Sequence, residues 1–392
     1  MCLGTKCVKQ SIVEFKSFQL LLFKKILRLV LQVPVTNSPE MMGVNDVCRG
    51  IPKVELHCHL FGTIQKDTFI DLNDEAGKPF TDTDIAEFYT RGEKPVGVLR
   101  IFRGMDEHLI RRLSHLYRLT IEYLRSVASH NVVYCEFFWN PTGTVHVSGI
   151  PYLKAQSAIT ASIEDAQKDY GIQSRLIVSI DREAPPLQAE EMVNWMIKYR
   201  SPLVVGIGID YRENEGPPQL FKKAFLEAIN AGFKATAHAG EFGCPSSHIA
   251  TAVNDLRVHR VDHGYTVLED PDLIATCIEK DIIFTVVPTN SYYLRTLDPK
   301  EWAQRHPIRF MKKAGLKIFP NTDDPAFHQV TPTRAWAMMV ECFDYDYDDL
   351  LEFALNGVDA CFLDNMGTLA MWKAQIVDYF DRLGIEAKEY LK

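Results

Sequence analysis

The chain has 392 residues, 46% of them hydrophobic and 24% charged, with a formal net charge of -8. That much apolar surface buries a large core, and the length suits one big α/β domain or two smaller ones. The acidic balance argues against a general nucleic-acid binder, which needs a basic face to displace phosphate counterions, and favours a small-molecule partner. Nine cysteines without regular spacing are expected as reduced thiols in a cytoplasmic protein, not as a disulfide framework.

The first forty residues differ from the rest. Lys6, Lys9, Lys16, Lys24, Lys25 and Arg28 face only Glu14 and Glu40 there, around an apolar run over 18–35. Lys24, Lys25 and Arg28 interrupt that run, so no stable membrane insertion is expected, and no small-residue cleavage site follows it. Residues 1–50 are expected to be an N-terminal extension, disordered or docked on the surface, with Met41 or Met42 as an alternative start.

From Ile51 onward, short β-branched runs alternate with longer helical patterns, the signature of parallel βαβ units. Eight strands are predicted, over 54–59, 132–138, 175–181, 203–209, 234–239, 257–263, 282–288 and 316–321. Helices are predicted over 107–130, 155–170, 187–199, 219–231, 270–280 and 302–314. Eight units closing on themselves make a (β/α)8 TIM barrel, so residues 51–392 are expected to be one barrel domain. Residues 65–105 are too long for one crossover helix and form a helical insertion after the first strand. Thr81-Asp82-Thr83-Asp84 is its helix-capping turn. C-terminal helices follow the last strand, with Asp344, Asp346, Asp348 and Asp349 at a turn and helix start.

The ionisable residues gather at the C-terminal ends of these strands, where barrels place their chemistry. His57 and His59, spaced i, i+2, share one face of the first strand. Such a pair is a weak signal alone. The fifth strand adds His238-Ala239-Gly240-Glu241, the sixth Asp262-His263-Gly264 and the eighth Asn321-Thr322-Asp323-Asp324-Pro325. His57, His59, His238 and Asp323 supply three nitrogens and one oxygen, a set suited to zinc or another divalent transition ion with a position left for water. His263 and Asp324 can orient and deprotonate that water, and a protonated Glu241 can donate to a ring nitrogen of a heteroaromatic substrate.

These four motifs, in this order, resemble those of the adenosine deaminase family within the amidohydrolase superfamily. The resemblance covers Ile51 to the C-terminus. It implies one zinc ion per chain and hydrolytic deamination of a 6-aminopurine, with ammonia released and a 6-oxopurine left. By the same resemblance His57, His59, His238 and Asp323 are the zinc ligands, Glu241 protonates ring nitrogen 1, and His263 activates the water. Asp324 holds the water and contacts the purine. Phe61, Gly208, Glu213 and Asp324 are the expected substrate-binding residues.

Departures from the family bear on specificity. Leu60-Phe61-Gly62 carries a phenyl ring where nucleoside deaminases carry an aspartate for the ribose; Glu213 and Asp262 look more like the adenine deaminase branch, which itself usually carries an acidic residue where Phe61 stands. Adenosine or a close analogue is the expected substrate, with adenine or an N6-modified aminopurine as alternatives. Arg212 and Arg295 can meet an anionic group on a larger substrate or be salt-bridged at the surface. The zinc deaminases built on Pro-Cys-x-x-Cys are excluded, because no Cys-x-x-Cys occurs. Binuclear amidohydrolases are disfavoured by the absence of a lysine over 203–210. A catalytically silent metal-binding protein on the same scaffold is the alternative from another class.

Overall fold

The computed structural model describes residues 42–90, 97–387 and 389; the apolar run over 18–35 lies outside them. Eight strands pair in chain order, each parallel to the next. They are β1 (Lys53–Glu55), β2 (Val132–Trp139), β3 (Gln173–Asp181), β4 (Val204–Asp210), β5 (Lys234–Ala239), β6 (Arg260–His263), β7 (Ile283–Val286) and β8 (Lys317–Pro320). The order and the intervening helices are those of a (β/α)8 barrel. Val, Ile and aromatic residues dominate β2 to β4, and nearly every position is buried, as expected of strands covered on both faces.

β1 is shorter than the sequence predicts, for a local reason. The Asn321 side-chain oxygen accepts from the Leu56 amide at 2.8 Å, and a Glu55 carboxylate oxygen accepts from the Thr322 amide at 2.9 Å. Side chains thus replace ladder bonds between β1 and β8, and regular pairing stops at Glu55. It resumes as isolated bridges, Cys58 with Asp323 and His59 with Phe138. The Asp323 amide donates to the His57 carbonyl at 2.9 Å and the His59 amide to the Asp323 carbonyl at 3.0 Å, which closes the ring at its C-terminal end.

Between β1 and β2 run the helices Lys66–Glu75, Asp82–Phe88 and Val98–Gly104 and a π-helical turn at Met105–Leu109. Thr81 and Asp84 form the expected capping box. The single helix predicted over 107–130 is instead this turn followed by Leu113–Ala128. The stretch over 302–314 breaks into three short pieces around Pro307, which lacks an amide to continue a helix. After β8, Pro332–Phe343, Tyr347–Asp359 and Met366–Arg382 complete the shell, with Asp346 and Asp349 as a second capping box. Residues 44–50 form a helix whose Val47 carbonyl accepts from the Tyr379 hydroxyl at 2.8 Å. The seven cysteines among the described residues are all unpaired. No helix among them is long and apolar enough to cross a membrane.

Candidate active site

The barrel's C-terminal end brings His57, His59, His238 and Asp323 together, with one ligating atom from each inside a 4.8 Å span. All four are buried. His59 Nε2 lies 3.1 Å from His238 Nε2 and 3.2 Å from an Asp323 carboxylate oxygen. Two ligands held at 2.0–2.1 Å on a tetrahedral ion stand about 3.3 Å apart, so these gaps match a shared cation.

The tautomers point the same way. Thr285 donates its hydroxyl proton to Asp262 at 2.8 Å, so it accepts from His57 Nδ1 at 2.9 Å. His57 Nε2 then carries a lone pair, and it has no hydrogen-bond partner despite complete burial. His59 Nδ1 lies 3.2 Å from Asp210, and His238 Nδ1 3.5 Å from Asp262. Each ring therefore turns Nδ1 toward a carboxylate or a hydroxyl relay and Nε2 toward the centre, the arrangement that fixes metal-binding imidazoles. Burial pushes the His57 pKa down to about 3, which keeps it neutral and able to ligate. Burial also opposes charge on His59, but Asp210 and Asp323 hold its pKa well above the usual value. A cation among these groups would take over the balancing role of that proton.

Glu241 and His263 face each other across the site, with Oε2 and Nε2 3.5 Å apart. Burial and then the nearby Asp323 charge raise the Glu241 pKa well above the carboxylate range, which favours its protonated form. Burial, with His57 beside it, holds His263 well below its ordinary value, leaving it a neutral base. His263 and Asp323 both adopt left-handed backbone, at φ 67° and 64°, where the strands turn over the mouth. Asp324 stands beside Asp323 on the cavity wall, and the room it needs comes from Gly62: a Cβ there would lie 2.0 Å from an Asp324 carboxylate oxygen.

These residues open onto a cavity of about 580 Å³. Leu99 and Phe102 from the insertion, Tyr211, Phe327 and Arg295 line its outer part. The expected substrate-binding residues divide. Asp324 is on the wall, but Phe61 packs edge-on against Phe102, ring centroids 6.0 Å apart, behind the lining. Gly208 sits between Ser179 and Phe138, where a Cβ would fit only tightly, 3.0 Å from Ser179 Oγ and 3.1 Å from the Phe138 ring. Glu213 also lies behind the lining. Its carboxylate accepts from the amides of Gly240 at 2.8 Å and Glu241 at 3.0 Å and pairs with His248 at 2.9 Å. It braces the loop that carries Glu241. Arg212, salt-bridged to Glu215 at 3.1 Å, and Arg295 both reach the cavity wall. Sequence analysis singled out neither Asp210 nor Thr285 as site residues, although Asp210 ends β4, the position where barrels carry function.

A family model for adenosine deaminase matches residues 52–378. The chain belongs to the adenosine deaminase family. An adenine deaminase of Vibrio parahaemolyticus is 30% identical over 325 residues, covering 82% of this chain and 94% of the relative. A deaminase of Schizosaccharomyces pombe is 34% identical over 331 residues, with the same coverage of each. Among solved structures, a zinc-bound amidohydrolase of Burkholderia ambifaria is 51% identical, with a TM-score of 0.85 over 90% of this chain and 96% of that one. As a member of this family, the chain is a metal-dependent hydrolytic deaminase.

Proposed function

We propose that the chain catalyses hydrolytic deamination of a 6-aminopurine, adenine ahead of adenosine, with one zinc ion held by His57, His59, His238 and Asp323. The observation that carries this reading is the pair Glu241 and His263. Glu241 Oε2 and His263 Nε2 stand 3.5 Å apart on one cavity, and burial favours a protonated acid beside a neutral base. When bound, the ion supplies a water acidified enough to act as hydroxide near neutral pH. His263 accepts a proton from the attacking water. Glu241 gives its proton to a ring nitrogen, which makes the adjacent carbon electrophilic, and Asp324 orients water and purine from the opposite wall. The C–N bond breaks as the amino group takes the proton held by His263 and leaves as ammonia, the remaining hydroxyl proton returns to Glu241, and a ring carbonyl remains.

Adenine moves ahead of adenosine because the curated relatives described above include an adenine deaminase. The cavity volume favours a second reading, a substituted aminopurine, since about 580 Å³ falls within the range that holds drug-sized ligands. Unpaired cysteines support a reducing compartment such as the cytoplasm.

The test is ammonia release by the zinc-loaded protein on adenine, adenosine, deoxyadenosine, N6-methylated adenines and 5′-substituted adenosines, with His238→Ala as control. Release on adenine, absent in the control, is expected. No release on any aminopurine, from protein holding one metal per chain, would overturn the purine assignment.

A further inference from the structure

We propose that Asn290 is a positioning residue that decides which oxygen of Glu241 carries the transferable proton. The inference rests on Glu241 acting as the acid in the reaction proposed above. Asn290 lies just after β7 on the cavity wall and is 1% exposed. Its side-chain oxygen caps the short helix Ser291–Thr296, accepting from the amides of Tyr292 at 3.0 Å and Tyr293 at 3.4 Å. A flipped amide would set its NH2 group against those two N–H donors. The cap therefore fixes the orientation, and Nδ2 must point the other way, toward Glu241 Oε1 at 3.1 Å.

Glu241 Oε1 is thus committed to accepting, and a proton placed on it would compete with the Asn290 N–H. The acid proton goes to Oε2, the oxygen 3.5 Å from His263 Nε2 and facing the reacting centre. The backbone below is held, which keeps the Glu241 carboxyl within reach of Asn290. Glu213 holds both the Gly240 and Glu241 amides, and Gly240 takes φ 70°, where a Cβ would lie 2.6 Å from Ile249 and Thr266 atoms. In the transfer, the Oε2–H bond breaks, an N–H bond forms at the ring nitrogen, and Glu241 is left a carboxylate. The Asn290 N–H then donates to a charged acceptor, so its bond strengthens as the reaction proceeds. An interaction stronger in the transition state than in the ground state acts on kcat and leaves KM little changed.

The test uses full-length zinc-loaded protein and the aminopurine it turns over fastest. Asn290→Ser and Asn290→Asp keep a capping oxygen for Tyr292 and Tyr293 but present no N–H to Glu241. Removing a hydrogen bond to a charged group should lower kcat about 10-fold to 100-fold in Asn290→Ser, with KM nearly unchanged. Asn290→Asp should fall further, because its carboxylate competes for the Glu241 proton. The same Asn290→Ser change made in Glu241→Gln, which keeps residual turnover, should cost nothing more. Unchanged kcat in both capping variants, or an equal fractional loss in the Glu241→Gln background, would overturn the inference while leaving the deaminase reading intact. Normal turnover in Glu241→Gln alone would remove the acid, and this inference with it.

Discussion

Two buried polar clusters lie inside this barrel and are built on opposite rules. In the first, Arg260 donates to Glu136 at 2.6 Å, to the Ala360 carbonyl at 3.1 Å and to the Leu56 carbonyl at 3.0 Å, while its guanidinium covers the Phe362 ring at 4.1 Å. Glu136 also accepts from the Tyr134 hydroxyl and the Phe362 amide. Opposite charges meet, and both partners are hydrogen-bonded. In the second cluster, His57, His59, His238 and Asp323 turn ligating atoms toward one point, and two ring nitrogens stand 3.1 Å apart. The first cluster pairs its charges as the chain folds; the second gathers ligating atoms that a cation would pair. A buried group that matches its neighbours maintains structure, and one that conflicts with them marks where a ligand belongs.

The difference can be broken most sharply at the second cluster. Stripping the metal with a chelator, or replacing His238 by Ala, should abolish deamination, and adding zinc back should restore the chelated protein alone. Ammonia release measured beside metal content checks this. Turnover surviving with no metal bound would dissolve the contrast.

At the first cluster the expected effect is on stability. Arg260→Ala strands the Glu136 carboxylate and should cost about 3–5 kcal/mol of unfolding free energy. Metal content per folded chain should stay unchanged. Denaturant unfolding with metal analysis separates the two, and metal loss without destabilisation would show that the clusters are not independent.

A smaller effect comes from His306, buried among Tyr265, Tyr293, Trp302 and Phe343, whose pKa burial pushes down to about 3. Its ordinary pKa is about 6.5. Between pH 6.5 and 3 the unfolded chain therefore binds a proton there that the native state does not. Stability falls as pH falls across that window, by up to about 1.4 kcal/mol per pH unit for one such group. His306→Phe should flatten the acid side of the stability profile by that share. A slope between pH 7 and 5 identical to that of the unaltered protein, in urea unfolding, would argue against it.

The fold was legible because the barrel strands are β-branched runs bounded by helical periods, and β5 matches its predicted bounds residue for residue. The metal cluster was legible for a related reason. A histidine or carboxylate at the C-terminal end of a barrel strand has one place to go, so His57, His59, His238, His263 and Asp323 could be gathered before any coordinates. Residues beyond the last strand pairing were harder, whereas isolated bridges carry the pairing past β1 and β8 as far as His59 and Asp323. Phe61 lies in a short 3-10 turn and Glu213 three residues beyond β4, where the period-2 alternation that assigns faces no longer applies. Phe61 turned behind the lining and Glu213 onto backbone amides.

By itself, then, the sequence determined the alternation of elements, the capping boxes at Thr81 and Asp346, and the inventory of ligating side chains, because these depend on neighbours a few residues apart. The tertiary structure alone decided protonation and orientation. Asp262, Thr285 and Asp210 fix the imidazole tautomers from strands distant in sequence, burial favours opposite proton states in Glu241 and His263, and Asn290 meets Glu241 across a separation of 49 residues. A proton's position depends on the charges and hydrogen-bond partners within a few ångströms in space, and chain order does not specify those.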